Sequence, residues 1–212
     1  MSDTFTGLTR AVLPGDILFQ AGIHTPPLLV QSGQIMLEDA DGIFVHLAHP
    51  GDVLGIECYG GFTSRFRAIA ISSCIISSLP DDQRLAETGY LFEALMRQQQ
   101  RTAETMRLRT GTATEWVKQL ICQLGQRDDG VDLSQCQLPS LKTISHMIDV
   151  APETVSRILS GLRRSAVLKG TARTGATFDP DHLSNYELPS EQIWKPGTRR
   201  LAKRASASPL CI

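Results

Sequence analysis

Turn-forming residues punctuate the first eighty positions and then almost vanish. Short apolar runs at 17–19, 28–30, 35–37, 43–47, 53–54, 68–71 and 74–76 are separated by Pro14-Gly15-Asp16, Gly22, Ser32-Gly33, Asp41-Gly42, Pro50-Gly51-Asp52 and Gly60-Gly61. Many brief strands at regular spacing specify a sandwich or barrel. Asp41-Gly42 between apolar flanks predicts a hairpin whose two central residues both take positive φ. From Asp82 to Arg109 there is no proline and a single glycine. That stretch predicts one long helix, so a β unit is followed by a helical one.

At 212 residues the chain has room for two small domains, and with 42% hydrophobic and 20% charged residues it can bury a core. No apolar run of ~18 residues occurs, so no membrane partner is expected. The opening MSDTFTGLTR has no basic stretch followed by an apolar one. A cytoplasmic protein is therefore expected. Five cysteines (Cys58, Cys74, Cys122, Cys136, Cys211) are widely spaced with no CxxC pair. That disfavours a zinc ribbon, a disulfide framework or a dithiol redox site.

Charge is divided unevenly. Residues 1–96 carry four basic side chains against 11 acidic ones, and residues 97–212 carry 17 against 11. Only the second half suits a polyanion.

The long helix, placed at 82–110, carries Leu91, Leu95, Gln98, Thr102, Thr105 and Arg109 at 3–4-residue spacing. That seam is a candidate for pairing with a second copy, and equally for packing on its own barrel. Thr112 with Glu115 reads as a capping box opening the next helix, whose apolar face is Trp116, Val117, Leu120, Ile121 and Leu124. Residues 126–136 read as a polar connector, and 187–212 as a basic, disordered tail able to reach phosphates.

Leu138 to Gly170, LPSLKTISHMIDVAPETVSRILSGLRRSAVLKG, predicts two short helices joined by a tight turn. Ser140 caps the first and Pro152 opens the second. A helix-turn-helix of this form can lay its second helix in the DNA major groove. Val155, Ile158, Leu159 and Leu162 form that helix's buried face. Glu153, Thr154, Ser156 and Arg157 are left to meet base edges, with Arg157 suited to guanine and Glu153 to cytosine. Glu153 can also brace Arg157 one turn away. Ser140, Lys142, Arg163, Arg164 and Lys169 suit phosphates.

The segment PETVSRIL, with Leu138-Pro139, Ile144, Leu162 and the hairpin expected at 167–178, resembles the Crp/Fnr superfamily of bacterial transcription regulators. The glycine pattern from Pro14 to Gly55 resembles the same family. The resemblance implies an α+β chain: a cyclic-nucleotide-binding-like β-roll at 1–81, a dimerisation helix at 82–110 and a winged helix-turn-helix at 111–186. It implies double-stranded DNA, a second copy of the chain and RNA polymerase as partners. It also implies a TTGA/TCAA-like palindrome. Two positions depart from the family pattern. Asp149 stands where the turn usually has glycine, and Ala151 where the second helix usually has a Ser or Thr cap.

The sensor reading is less direct. Ile56 and Phe66 stand where the family's cyclic-nucleotide binders carry Glu and Arg, so cyclic AMP is disfavoured. A one-residue shift through Glu57 and Arg65 or Arg67 keeps it open. Ser64 to Ala70 and Glu104-Thr105-Met106 resemble the cyanobacterial nitrogen regulators, which bind 2-oxoglutarate. Gly55, Glu57, Arg65, Arg67, Arg101 and Glu104 are thus candidates for a small anionic effector. No Cys precedes Cys58, so an Fnr-type iron–sulfur cluster is not expected. Cys58 is read as a small buried thiol in preference to a redox centre. No catalytic grouping and no metal set is expected. The alternatives are a cupin-like metal enzyme using His46, His49 and Glu57, and an effector module without DNA binding.

Overall fold

The computed structural model describes residues 8–79, 89–108, 110–125, 135–171 and 175–189. Positions 82–88 and Arg109 of the expected long helix, most of the polar connector and nearly all of the basic tail lie outside the described residues.

Eight short strands form the first unit: β1 (Thr9–Val12), β2 (Ile17–Phe19), β3 (Leu28–Ser32), β4 (Ile35–Glu38), β5 (Phe44–Ala48), β6 (Val53–Leu54), β7 (Arg67–Ala70) and β8 (Cys74–Ser78). They pair as two antiparallel four-stranded sheets, ordered β1-β8-β3-β6 and β2-β7-β4-β5. Val30, Ile35, Leu37, Ala68, Ala70 and Ile76 alternate inward and close the core between them. A single helical turn of 3-10 type, Ile56–Gly60, bridges β6 towards β7.

The hairpin joining β4 to β5 forms as expected, but its turn does not. Only Gly42 has positive φ; Asp41 does not. Asp39 decides the geometry: its Oδ1 accepts the backbone N–H groups of Asp41 (3.0 Å) and Ile43 (2.8 Å). That side-chain bracket holds a five-residue loop with one left-handed glycine. Neither β1 nor the two-residue β9 (Gln135–Cys136) is expected from the sequence pattern. β1 is an edge strand with three of four residues exposed, so it lacks the alternation that marks a half-buried strand.

Five helices follow among the described residues: α1 (Tyr90–Leu108), α2 (Ala113–Gly125), α3 (Leu141–Ile148), α4 (Pro152–Arg164) and α5 (Pro180–Asn185). The hairpin β10 (Leu168–Thr171) and β11 (Gly175–Phe178) pairs with β9. α2 opens with the expected reciprocal cap: Glu115 accepts the Thr112 N–H, and Thr112 Oγ1 accepts the Glu115 N–H.

β4 is buried on all four residues because it has cores on both faces. Ile35 and Leu37 belong to the roll. Met36, with Phe44 and Leu47 of β5, joins the cluster built from α2, α3 and α4. A Gln34 side-chain N–H to the Leu124 carbonyl (2.6 Å) ties the same edge to α2. The two units therefore share apolar packing, which is what fixes the helical end against the roll. Each such buried aliphatic side chain is worth about 1.5–3 kcal/mol. Among the described residues, no helix is long and apolar enough to cross a membrane.

Candidate nucleic-acid interface and effector cleft

α3 starts where Ser140 Oγ accepts the Thr143 N–H (3.1 Å). It stops at Asp149, which sits left-handed at φ 52°, ψ 45°. Ser145 Oγ then donates to the Val150 carbonyl (2.6 Å) and ties down the turn. Ala151 caps α4 with no side-chain hydrogen bond, and Pro152 opens its first turn. Both departures from the family pattern are thus visible as local geometry: an aspartate in a glycine-favouring conformation, and a helix start lacking one capping bond.

Val155, Ile158, Leu159 and Leu162 are buried and lock α4 onto α2 and α3. The opposite face carries Glu153, Arg157, Ser160, Arg163 and Arg164 exposed, with Thr154 and Ser156 half-buried. The four expected base-reading residues share the first two turns of α4. Among the described residues, no ion pair joins Glu153 to Arg157, so the expected brace is absent. Lys142 is exposed in the first turn of α3, and Lys169 is exposed on β10. The Ser140 hydroxyl already lies 2.8 Å from Thr143 Oγ1. Arg163 and Arg164 fall in the last turn of α4, where cations also suit the helix dipole.

A second site lies between the roll and α1. A cleft of about 780 Å³ is lined by Ile56, Glu57, Tyr59, Phe62, Arg65 and Phe66 on one side and by residues of α1 from Leu91 to Met106 on the other. Of the six expected effector residues, only Glu57 and Arg65 line it. Gly55 is buried at the start of the 3-10 turn, left-handed at φ 68°. Arg67 bonds Glu38 (3.3 Å). Arg101 is held by Asp52 (3.1 Å) and Glu104 (3.5 Å), with side-chain exposures of 11% for Arg101 and 7% for Asp52. Two of the three arginines expected there therefore lie outside the cleft, each paired with a carboxylate of its own chain. Glu57 is also engaged, its Oε1 accepting Ser64 Oγ–H (2.8 Å) and the Arg65 N–H (3.0 Å).

The seam residues divide similarly. Leu91, Leu95, Gln98 and Thr102 line the cleft. Thr102 Oγ1 lies 3.3 Å from His46 Nδ1, and Thr105 is buried against its own chain. Burial, and then the Arg101 charge, push His46 down to about 4, so it is neutral at pH 7. His46, His49 and Glu57 do not gather: among the described residues, no group of three metal-ligating side chains comes together. Cys58 is buried. Burial pushes the Cys136 thiol up to about 12, with Cys122 adding to the shift.

Residue patterning does not mark Tyr59, Phe62 and Phe92 as cleft walls. For Tyr59 and Phe62 the available signal is Gly60-Gly61 between them: the Phe62 ring lies against Gly60, where a side chain would crowd it; nothing of the kind marks Phe92.

No protein-family profile matches the chain, and no curated protein matches it in sequence. Solved structures do match. A CRP-family transcriptional regulator from Thermus thermophilus is 20% identical, with a TM-score of 0.67 over 85% of this chain and 99% of that one. FixK2 from Bradyrhizobium japonicum is 20% identical, with a TM-score of 0.68 over 85% and 96%. The c-di-GMP-responsive global regulator CLP from Xanthomonas campestris is 16% identical, with a TM-score of 0.57 over 82% and 94%. This chain shares the α+β fold of these three structures, a CRP-family transcriptional regulator among them.

Proposed function

We propose that the chain is a homodimeric, sequence-specific DNA-binding transcription regulator of CRP/FNR type. The observation that carries this is α4: an apolar face sealed into the core, and an opposite face presenting Glu153, Ser156 and Arg157 with no ion pair joining Glu153 to Arg157. A helix held so rigidly can enter a major groove end-on, with α3 crossing the backbone and the β10–β11 hairpin as its wing. Arg157 then reads guanine, Glu153 accepts from cytosine, and Lys142, Arg163, Arg164 and Lys169 hold phosphates. The operator is a TTGA/TCAA-like palindrome.

The dimer reading is supported by α1. Phe92 and Met106 are 66% and 70% exposed on it, with Leu95 and Met96 between them. An apolar stripe on a 19-residue helix is costly in water and suits a second copy. Two recognition helices then meet half-sites about 34 Å apart, one turn of duplex.

Arg157→Ala tests the reading. It should lose about 1–3 kcal/mol of discrimination at one base pair per half-site, measured on duplexes substituted position by position. Equal weakening on every duplex would remove Arg157 from base reading.

A further inference from the structure

We propose that residues 184–188 form a strap that positions α4, with Leu188 and Tyr186 setting the place from which Arg157 reads a base. What α4 reads rests on the regulator reading above; the strap's hold on α4 does not.

The strap is first fixed to α2. α5 has six residues, too few to stand as a helix on its own hydrogen bonds. Its Leu183 is buried in the core that carries α2, α3 and α4. The buried Lys118 of α2 clamps its far end. Lys118 Nζ donates to the carbonyls of Ser184 (2.8 Å) and Tyr186 (2.9 Å), where a cation also suits the end of a helix. The His182 ring meets the Tyr186 ring edge-on, with centroids 6.0 Å apart.

The chain then meets α4 twice. The Tyr186 hydroxyl donates to Ser165 Oγ (2.7 Å), at the residue that ends the helix. Leu188 packs on Gly161: a Cβ there would stand 2.9 Å from Leu188 Cδ1 and 3.0 Å from its Cδ2. Gly161 is not left-handed, so its backbone does not require glycine. Glycine is a poor residue inside a helix. Here the bare backbone makes a seat for Leu188. Arg157, Gly161 and Ser165 follow one another at four-residue spacing, so they share one row of the helix surface. The apolar stripe of Val155, Ile158, Leu159 and Leu162 holds α4 from beneath, and the strap bears on the row that carries Arg157. A guanidinium fork matches a base edge in one narrow geometry, so the set of the helix decides what Arg157 can read.

Two measurements on the full chain test this at a temperature where each variant is folded. One is hydrogen exchange without DNA; the other is anisotropy binding to the palindromic and a scrambled duplex. Leu188→Ala should quicken exchange in the last turns of α4 about tenfold. It should lower the preference for the palindrome by a similar factor and leave affinity for the scrambled duplex unchanged. Tyr186→Phe, which loses one hydrogen bond, should do the same about threefold. Leu188→Met, which can refill the seat, should restore both. Gly161→Ala should match Leu188→Ala, and the double substitution should be no worse than either, because both empty one seat. Unchanged exchange in α4, or additive effects, would overturn the strap. Quickened exchange with the preference intact, or equal weakening on both duplexes, would overturn its part in reading. A parent chain that prefers no sequence, with none enriched from random DNA, defeats the regulator reading and the strap's part in it; the exchange result stands apart from that outcome.

Discussion

The exposed face of α4 and the cleft beside α1 handle charge in opposite ways. On α4, Glu153 and Arg157 lie one turn apart with no ion pair between them, above a sealed apolar stripe. Around the cleft, Arg101, Arg67 and Glu57 are each bound to a neighbour within the chain. Charges left in water can be given to an external partner at little cost. Charges already paired inside a fold cannot, because withdrawing them strands the other member. That difference supports the proposal that α4 meets a polyanion, and it leaves the charged groups around the cleft committed to the fold.

The comparison breaks most severely beneath α4. Ile158 is fully buried, so Ile158→Ala should cost about 2–5 kcal/mol in chemical denaturation and abolish specific DNA binding by loosening the helix. Retained stability would mean that the α4 stripe is not the anchor described here.

On the cleft side, Asp52→Ala leaves Arg101 without its closest carboxylate in a nearly buried place. A loss of about 3–5 kcal/mol is expected, less whatever Glu104 recovers. A neutral result would show that the pair with Asp52 is not what holds Arg101, and the dicarboxylate reading would return.

His46 sharpens the same point through pH. Its folded pKa of about 4 lies below the ordinary 6.5, so between those values the unfolded chain binds a proton that the folded chain refuses. Its contribution is present above pH 6.5 and is lost as pH falls towards 4. That amounts to about 3 kcal/mol across the window. Denaturation at about pH 7 and about pH 4.5 should show the drop, and His46→Gln should flatten it. An unchanged slope would place the pH dependence elsewhere.

The smallest effect is at the start of α4. Ala151→Ser restores the missing cap and should add about 0.5–2 kcal/mol with no change in base preference. A changed preference would implicate the turn in reading DNA.

Most of the roll's strands are legible in the sequence because Gly, Pro or Asp closes them; β1 is not, and β7 and β8 are joined by Ile71-Ser72-Ser73, which holds none of the three. α4 is legible because its buried positions fall on one stripe. The hairpin turn at residues 39–43 misleads because the Asp39 side chain, not the Asp-Gly pair, sets its geometry. The cleft is least legible. Arg101 and Arg67 are neutralised by Asp52 and Glu38, 49 and 29 positions away, and no local pattern announces such a pair. Residue type identifies these side chains as cations; only the fold shows that they are already engaged.

The most direct measurement is fluorescence-anisotropy binding of the full chain to a TTGA-N6-TCAA duplex and to a scrambled duplex, across a salt series. A preference of at least ~10³-fold for the palindrome in one of those conditions is the predicted result. Equal, salt-steep affinity for both duplexes in every condition, with no sequence enriched from random DNA, would contradict it.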